Sequence, residues 1–564
     1  MAGIAWREWS DQVLEEARRG RRPLLLLLRA SWCRFCSDLE EGVLSEPDVA
    51  AAAELRFIPV RADKDRHPEV DRRYRRGGWP TLVVVAADGE PAEGGTALTR
   101  EEVRALVLGS AASAAPGTLR DFRPQIVDRV AHAILEAFDA RHGGFGTGQK
   151  FPHPEAVDFA LLYAEKTRNP AFREIALKTL SEMAAGSLLD PVEGGFFRYC
   201  ATRDWRQPCT EKLLETQAGL LRNYLEGWQL FGRPEFRRIA QSTLGWVERV
   251  LRDPETGAWF TSQEADDPYY ALGERARADR KPPRVERRIY ARSLAATISA
   301  TLKAGAVLGD EAATRRALEA ARFLVETLYS PGKGVYHSYE GGRHILGLLS
   351  DQVFALRALL HVVQYTGDNG PLALVEDLIG TIVPKQSPLD GGFYDLREDD
   401  PAFPRSRRRN FALLENGLLA EALVRAHCLT ARREYLELAG RALEAFCADY
   451  PLYGYFAAEY ARAVELYFHP PLRVFVTGRA SDARRQALAD AARRTFAPSK
   501  LVLALDPERD AELLARHGFP ARGEPTAFVC IEGACVAELV DPAAIPEAMA
   551  QAEALRSRGS PNGR

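Results

Sequence analysis

Over residues 1–112 short apolar runs alternate with amphipathic stretches. WREWSDQVLEEARRG has helical spacing, RPLLLLLRA reads as a buried strand, CRFCSDLEEGVLSEPDVAAAAE as a helix with an interruption, and RFIPVRADKD as a second strand. GGWPTLVVVAADGEPAEGG predicts two strands around an Asp-Gly turn, and LTREEVRALVLG a closing helix. The Ala/Ser/Gly/Pro stretch AASAAPGTL, residues 111–119, reads as a linker. From 119 to 468 the period is almost wholly helical; Phe236, Ala240, Val247 and Leu251 share one face, as do Tyr435, Ala439, Leu443 and Phe446. A third region, 470–553, returns to the mixed pattern: strand PLRVFVTG, helix SDARRQALADAARRTF, strand KLVLALD, then a hairpin and last helix in EPTAFVCIEGACVAELVDPAAIPEAMAQA. The tail RSRGSPNGR reads as disordered.

The helical middle repeats itself. Glycine–aromatic marks stand at HGGFG (142–146), GGFF (194–197), TGAWF (256–260), KGVYH (333–337), GGFYD (391–395) and YGYFA (453–457), a period that means stacked supersecondary units. Twelve helical segments lie between them, and their connections alternate in length. TRNP, FGRP, LGDE, TGDNG and LTAR are short, whereas the long connections hold every mark. All long loops then fall on one face. Twelve helices in six hairpins with one decorated face predict an all-α (α/α)6 toroid whose inner helices ring a funnel.

Charge narrows the function. With 75 Lys+Arg against 78 Asp+Glu there is no basic footprint for nucleic acid and no acidic tail. The N-terminal residues lack a basic start followed by an apolar segment, and no apolar run approaches the roughly 18 residues of a spanning helix. The expectation is a cytoplasmic protein with no nucleic-acid or membrane partner. Eight cysteines in 564 residues are too sparse for a secreted disulfide scaffold. The close pair in SWCRFC, residues 31–36, is therefore expected to be reactive or metal-bound.

Cys33 falls where a strand hands over to a helix, so unpaired backbone N–H groups and the helix dipole stabilise its thiolate. Arg34 adds a positive charge, and Cys36, one turn later, is placed to resolve a mixed disulfide. Helix, strand, helix, strand, hairpin, helix is the thioredoxin order. Trp32 precedes the dithiol, and Pro80, in Trp79-Pro80-Thr81, stands where thioredoxin-like folds carry a cis proline facing it. A zinc site would need a second pair at ligand spacing; Cys530 and Cys535 are remote in sequence, so neither metal nor cofactor is expected. Two inert buried thiols are the alternative, because Leu27 occupies the place where thioredoxins bury a proton-accepting Asp. The third region shows the N-terminal plan again, suggesting a second, degenerate thioredoxin-like or related α/β module. Cys530 and Cys535 flank its turn IEGA, near enough to bridge but read as ordinary buried thiols.

The funnel candidates are polar residues at the starts of the helices that open toward the decorated face. They are Lys150, His153 and Glu155 in QKFPHPE; Asp204, Trp205, Glu211 and Lys212 in RDWRQPCTEKLL; Glu264 and Asp266 in SQEADD; Arg292; Asp351; and Glu415 with Asn416. Paired carboxylates in such a ring suit glycoside hydrolysis, and His153 could move a proton in an epimerisation. Singly, acidic residues at helix starts serve as caps and complement the dipole.

With WREW, the CxxC, ADKDRHPEVDRRY, GGWP, GGFGTGQKFPHP, GGFFRYCATRDWR and AFVCIEGACVAELVDP, the chain resembles the thioredoxin-domain proteins similar to spermatogenesis-associated protein 20. The resemblance implies a thioredoxin domain joined to an (α/α)6 toroid of the sugar-epimerase and glucosidase-like kind. Two departures stand out. Arg34 and Phe35 separate the cysteines and Ser37 follows them, where the family sets histidines; Pro208-Cys209-Thr210-Glu211-Lys212 replaces Pro-His-Phe-Glu-Lys. The resulting expectation is a thiol–disulfide protein, Cys33 attacking and Cys36 resolving, whose toroid binds a small molecule or a thiol/disulfide protein partner. The alternatives are a sugar isomerase, epimerase or hydrolase working in the funnel, and a non-catalytic scaffold whose funnel is filled by Leu or Arg side chains.

Overall fold

The computed structural model describes residues 4–30, 34–64, 66–76, 79–96, 98–108, 122–388, 390–396, 412–519, 524–531 and 534–559. Contacts divide the chain into two compact units, residues 1–121 with 393–412, and residues 122–392 with 413–564.

In the first unit, strands β1 (Arg7–Glu8), β2 (Leu24–Arg29), β3 (Ile58–Asp63), β4 (Thr81–Val85) and β5 (Pro91–Thr96) form one sheet in the order β1-β3-β2-β4-β5. The first three are parallel and the hairpin is antiparallel, the thioredoxin arrangement. The leucine run of β2 is explained by its central place. Leu24, Leu26 and Leu28 join Val13, Val60 and Tyr74 on one face, while Leu25 and Leu27 join Leu44, Val49 and Val103 on the other. Residues 7 and 8, within a stretch of helical spacing, instead form an edge strand on β3, and the helix, α1 (Asp11–Gly20), begins only after them. The interruption expected after the dithiol is real: helix α2 (Arg34–Glu41) stops at Gly42, and α3 (Pro47–Arg56) restarts with Pro47 at its first position.

In the second unit, six inner helices run Pro154–Thr167, Leu214–Phe231, Ala291–Leu308, Leu349–Thr366, Leu413–Thr430 and Ala458–Phe468. Each packs on the next, and the sixth returns to the first. Outer helices Pro170–Ala185, Pro234–Trp246, Glu311–Phe323, Leu372–Ile382 and Arg433–Glu444 each cover the inner helix before them, and Gln125–Ala137 covers the sixth. The ring closes as an (α/α)6 toroid. The stripes read from sequence, Phe236 to Leu251 and Tyr435 to Phe446, are buried throughout.

Four of the six glycine–aromatic marks are one turn used repeatedly. Asp139 N–H donates to Gly144 O and Gly143 N–H to Asp139 O; Asp190 with Gly195 and Gly194, Asp253 with Ala258 and Gly257, and Ser387 with Gly392 and Gly391 repeat the pair. An inner-helix glutamine grips the backbone at two of the marks. Gln217 accepts from Phe196 N–H and donates to Phe196 O, both at 2.7 Å; Gln352 does the same to Val335 at 2.7 and 2.9 Å. At Gly144, φ +69°, an added Cβ would lie 2.6 Å from the Trp205 ring.

The third region has its own core, Leu472, Val474, Leu488, Val502 and Val529 among others. Its strands Arg473–Thr477, Leu501–Leu505, Thr526–Ile531 and Ala534–Leu539 repeat the relative directions of β2, β3, β4 and β5. It nonetheless belongs to the toroid's unit: Arg493 Nε donates to Gln364 O at 2.9 Å and Asn369 Nδ2 to Ala504 O at 3.0 Å. Cys530 and Cys535, read from sequence as ordinary buried thiols, form a disulfide, because the hairpin register sets them directly opposite each other.

Candidate functional site

Trp32 and Cys33 lie outside the described residues. Cys36 is buried in the first turns of α2, with Ala30 and partly buried Trp79 around it. The Trp79–Pro80 peptide is cis. The Trp79 indole donates to Asp71 Oδ1 at 2.5 Å, and Lys64 and Arg75 stand over its ring at 5.2 and 4.8 Å.

On the decorated face, several sequence candidates brace loops. Lys150, wholly buried, is 2.9 Å from Asp139 and donates to Gly146 O at 2.7 Å, while Arg203 forks onto the same carboxylate. Lys212, also wholly buried, reaches Asp190 Oδ2 and Gly194 O at 2.8 Å each. Phe197, Trp246 and Tyr270 surround its ammonium; burial pulls it down to about 8 against the attraction of Asp190. Trp205 is buried and donates to His142 O. Asp204 is exposed and accepts from Thr202 Oγ1; Asp266 caps the short helix 267–270; Glu264 pairs with Arg284 on the surface. Glu211 is half-buried, with no hydrogen-bond partner at Oε2. His153 sits among Phe145, Phe151, Tyr455 and Phe456, and burial pulls it down to about 4 with help from the Lys150 charge.

Other candidates converge at the inner-helix starts. Arg292 Nη2 lies 2.7 Å from Glu215 Oε1, and Nη1 lies 3.8 Å from Glu415 Oε1. Burial raises the Glu155 carboxyl, and the charges of Glu459 and Glu215 raise it further against Arg222. Asp351, wholly buried in the first turn of its inner helix, holds His337 Nδ1 at 2.9 Å; Tyr290, beside Arg292, lies against that imidazole at 5.0 Å. Asn416 is buried next to Glu415.

From this ring a cavity of about 110 Å³ runs down the toroid axis, well above the roughly 10–15 Å³ that one water requires. Its wall includes Glu155, Glu215, Arg222, Arg292, Phe354 and Arg462, and deeper Glu226, Lys303, Arg357, His361, Glu421 and Arg425. Its far end is lined by Arg493, Phe496, Ala497, Pro498 and Lys500 of the C-terminal region. Glu421 is shared by Arg357 at 3.2 Å, Arg425 at 3.0 Å and Arg462 at 3.9 Å. Burial opposes its charge, but these guanidiniums and Arg222 hold its carboxyl well below the usual range. His361 is pushed well below its ordinary value by burial and by Arg425 and Arg357. Among the described residues no group of three or more His, Cys, Asp or Glu side chains is arranged to hold a metal, and no helix is long and apolar enough to cross a membrane.

Sequence reasoning placed its candidates at the mouth and missed the interior charges. Their signal was present: Arg222/Glu226, Arg357/His361 and Glu421/Arg425 are four apart within helices otherwise rich in apolar residues. Charges in such all-round apolar helices face something other than solvent.

Fold and site together define a thioredoxin-like domain joined to an (α/α)6 toroid with a charged axial cavity. Residues 1–111 match the family Thioredox_DsbH, described as a protein of unknown function, DUF255. The chain is similar to human spermatogenesis-associated protein 20, 27% identical over 309 residues that cover 47% of this chain and 39% of that protein. It thus spans about two fifths of the length of that curated relative. Among solved structures, cellobiose 2-epimerase from Bacillus thermoamylovorans aligns at TM-score 0.48 and 13% identity over 57% of this chain and 85% of that one. A D-mannose isomerase aligns at TM-score 0.47 and 11% identity over 62% and 99%.

Proposed function

We propose that the toroid is the working part of the chain and acts by acid–base chemistry on a small polar ligand of carbohydrate type bound in its axial cavity. The carboxyl cluster around Arg292 carries this reading. Burial and its acidic neighbours raise the Glu155 carboxyl above the ordinary glutamate range, while Glu215 is ion-paired to Arg292. Two carboxyls in such different surroundings supply an acid and a base, and sugar isomerases, epimerases and hydrolases share that requirement. His337, oriented by Asp351, is a second proton carrier at the same end. The test is proton NMR in D₂O with a panel of aldoses and aldose disaccharides, alongside hydrolysis of aryl glycosides. Deuterium at the carbon next to the carbonyl, or release of the aryl alcohol, falling at least tenfold in Glu155→Gln, is the expected result. Neither activity across the panel, or one indifferent to Glu155, overturns the reading.

Thiol–disulfide exchange at Cys33 and Cys36 is a second reading. It is supported by the start of α2 at Arg34 soon after β2 ends at Arg29, and by the burial of Cys36 in the first turns of that helix. The pH dependence of iodoacetamide labelling at Cys33 tests it, with Cys36→Ser alongside. A midpoint well below about 8.5 supports an activated thiolate; a midpoint at or above that value, or no labelling of the folded protein, excludes it.

A further inference from the structure

The deep half of the axial cavity is built differently from its mouth. At the mouth, the carboxyls of Glu215 and Glu415 both face the one guanidinium of Arg292. In the interior the balance reverses: Arg357 and Arg425 both reach for one carboxylate, Glu421, which also faces Arg462. Arg462 has Glu459 at 2.7 Å, and Lys303 has Glu226 as its own partner. Among the described residues no other acidic group pairs with Arg357 or Arg425. Lys500, at the far end, donates to the backbone carbonyls of Arg493 and Thr495, and burial pushes its ammonium well below its ordinary value. Removing cations from water without matching anions is costly, and a surplus of guanidinium charge around a cavity is the complement of an anion.

Buried polar atoms without partners line the same space. His361 Nδ1 makes no hydrogen bond although it is enclosed, and neither does Oε1 of Gln364, a residue only 4% exposed. Arg493, 2% exposed, leaves Nη2 unpartnered. Native interiors seldom leave such groups unsatisfied without a ligand or water to take them. An arginine fork matches a carboxylate or phosphate in two bonds at once.

We infer that the depth of the cavity binds the anionic group, phosphate or carboxylate, of a small ligand, with Arg357 and Arg425 as its forks and His361 at its side. The ligand class is then an acidic or phosphorylated sugar, entering with its anionic end toward the C-terminal region and its other end toward Glu155 and Arg292. This rests on the axial cavity being the ligand site, and not on the chemistry proposed at its mouth.

The test is isothermal titration of the full chain at fixed ionic strength with glucose, glucuronate, glucose 6-phosphate and inorganic phosphate. Glucuronate reports the carboxylate and the two phosphates report the phosphoryl group. At least one anion is expected to bind tenfold or more tightly than glucose, with the preference lost in Arg357→Gln/Arg425→Gln. Arg425→Lys keeps the charge and removes the fork, so it covers the case in which the double variant does not fold; it is expected to weaken the anion at least threefold and leave glucose unchanged. Equal binding of glucose and the anions, no binding by any of the four, or an anion preference that survives in folded variants overturns the proposal. Anion binding without turnover of any sugar would sink the acid–base reading alone, and turnover of neutral sugars with no anion preference would sink this one alone.

Discussion

Arg292 Nη2 lies 2.7 Å from Glu215 Oε1, joining the third inner helix to the second at the mouth of the cavity, while its other amino group faces Glu415 on the fifth at 3.8 Å. The two carboxylates differ in burial, Glu215 being exposed and Glu415 buried at 3%. Glu215→Gln is expected to cost at most about 1 kcal/mol in urea unfolding, since solvent screens an exposed pair. Arg292→Met strands Glu415 in the interior and is expected to cost about 1–3 kcal/mol more. Equal costs would show that Arg292 does not compensate Glu415.

Lys212 is a structural cation in this fold. Lys212→Ala leaves Asp190 with Arg277 as its one cation among the described residues, beside the Val192 N–H, and empties an aromatic cage. The expected loss is about 3 kcal/mol, read by denaturant titration. A variant of unchanged stability and lost activity would restore Lys212 to the chemistry.

Gly144→Ala tests the repeated turn. The positive φ and the Trp205 ring both reject a Cβ, so a loss of about 1–3 kcal/mol is expected. Gly232→Ala, at a positive φ with open space around it, is expected to cost less in the same melt.

Stability should fall with acid through His153. Its folded value of about 4 lies below the ordinary 6.5, so the unfolded chain binds the extra proton first. The contribution is complete above pH 6.5 and is lost as pH falls toward 4, on the order of 3 kcal/mol in all. His153→Asn, whose side chain tolerates the left-handed backbone there, should flatten that part of the stability profile. An unchanged slope between pH 6.5 and 4 would show that His153 titrates normally.

The sequence carried the architecture because the architecture is periodic. The five-leucine run announces a strand buried on both faces, and the glycine marks recur because four of the six close the same turn before an inner helix. The site was less legible. Lys150 and Lys212 stand at loop ends where a funnel residue would, yet the aspartates that hold them, Asp139 and Asp190, lie 11 and 22 residues earlier, so only folding shows the pairing. Glu421 and Arg357 belong to different helices, and their convergence needs the closed ring. The far end of the cavity comes from Arg493 to Lys500, which read alone as part of a separate module. Its docking depends on contacts such as that from Arg493 to Gln364 O, which no periodicity announces.

The central claim is that the axial cavity holds the ligand. Ala296 lines that cavity on the third inner helix without belonging to any of the ion pairs around it, so Ala296→Phe fills the space and leaves the mouth carboxyls in place. The measurement is kcat/KM of this variant on whichever sugar the deuterium-exchange or hydrolysis panel identifies, with its melting temperature recorded alongside. The account predicts a folded protein with kcat/KM at least a hundredfold below the parent. A folded variant that turns over at the parent rate would contradict it.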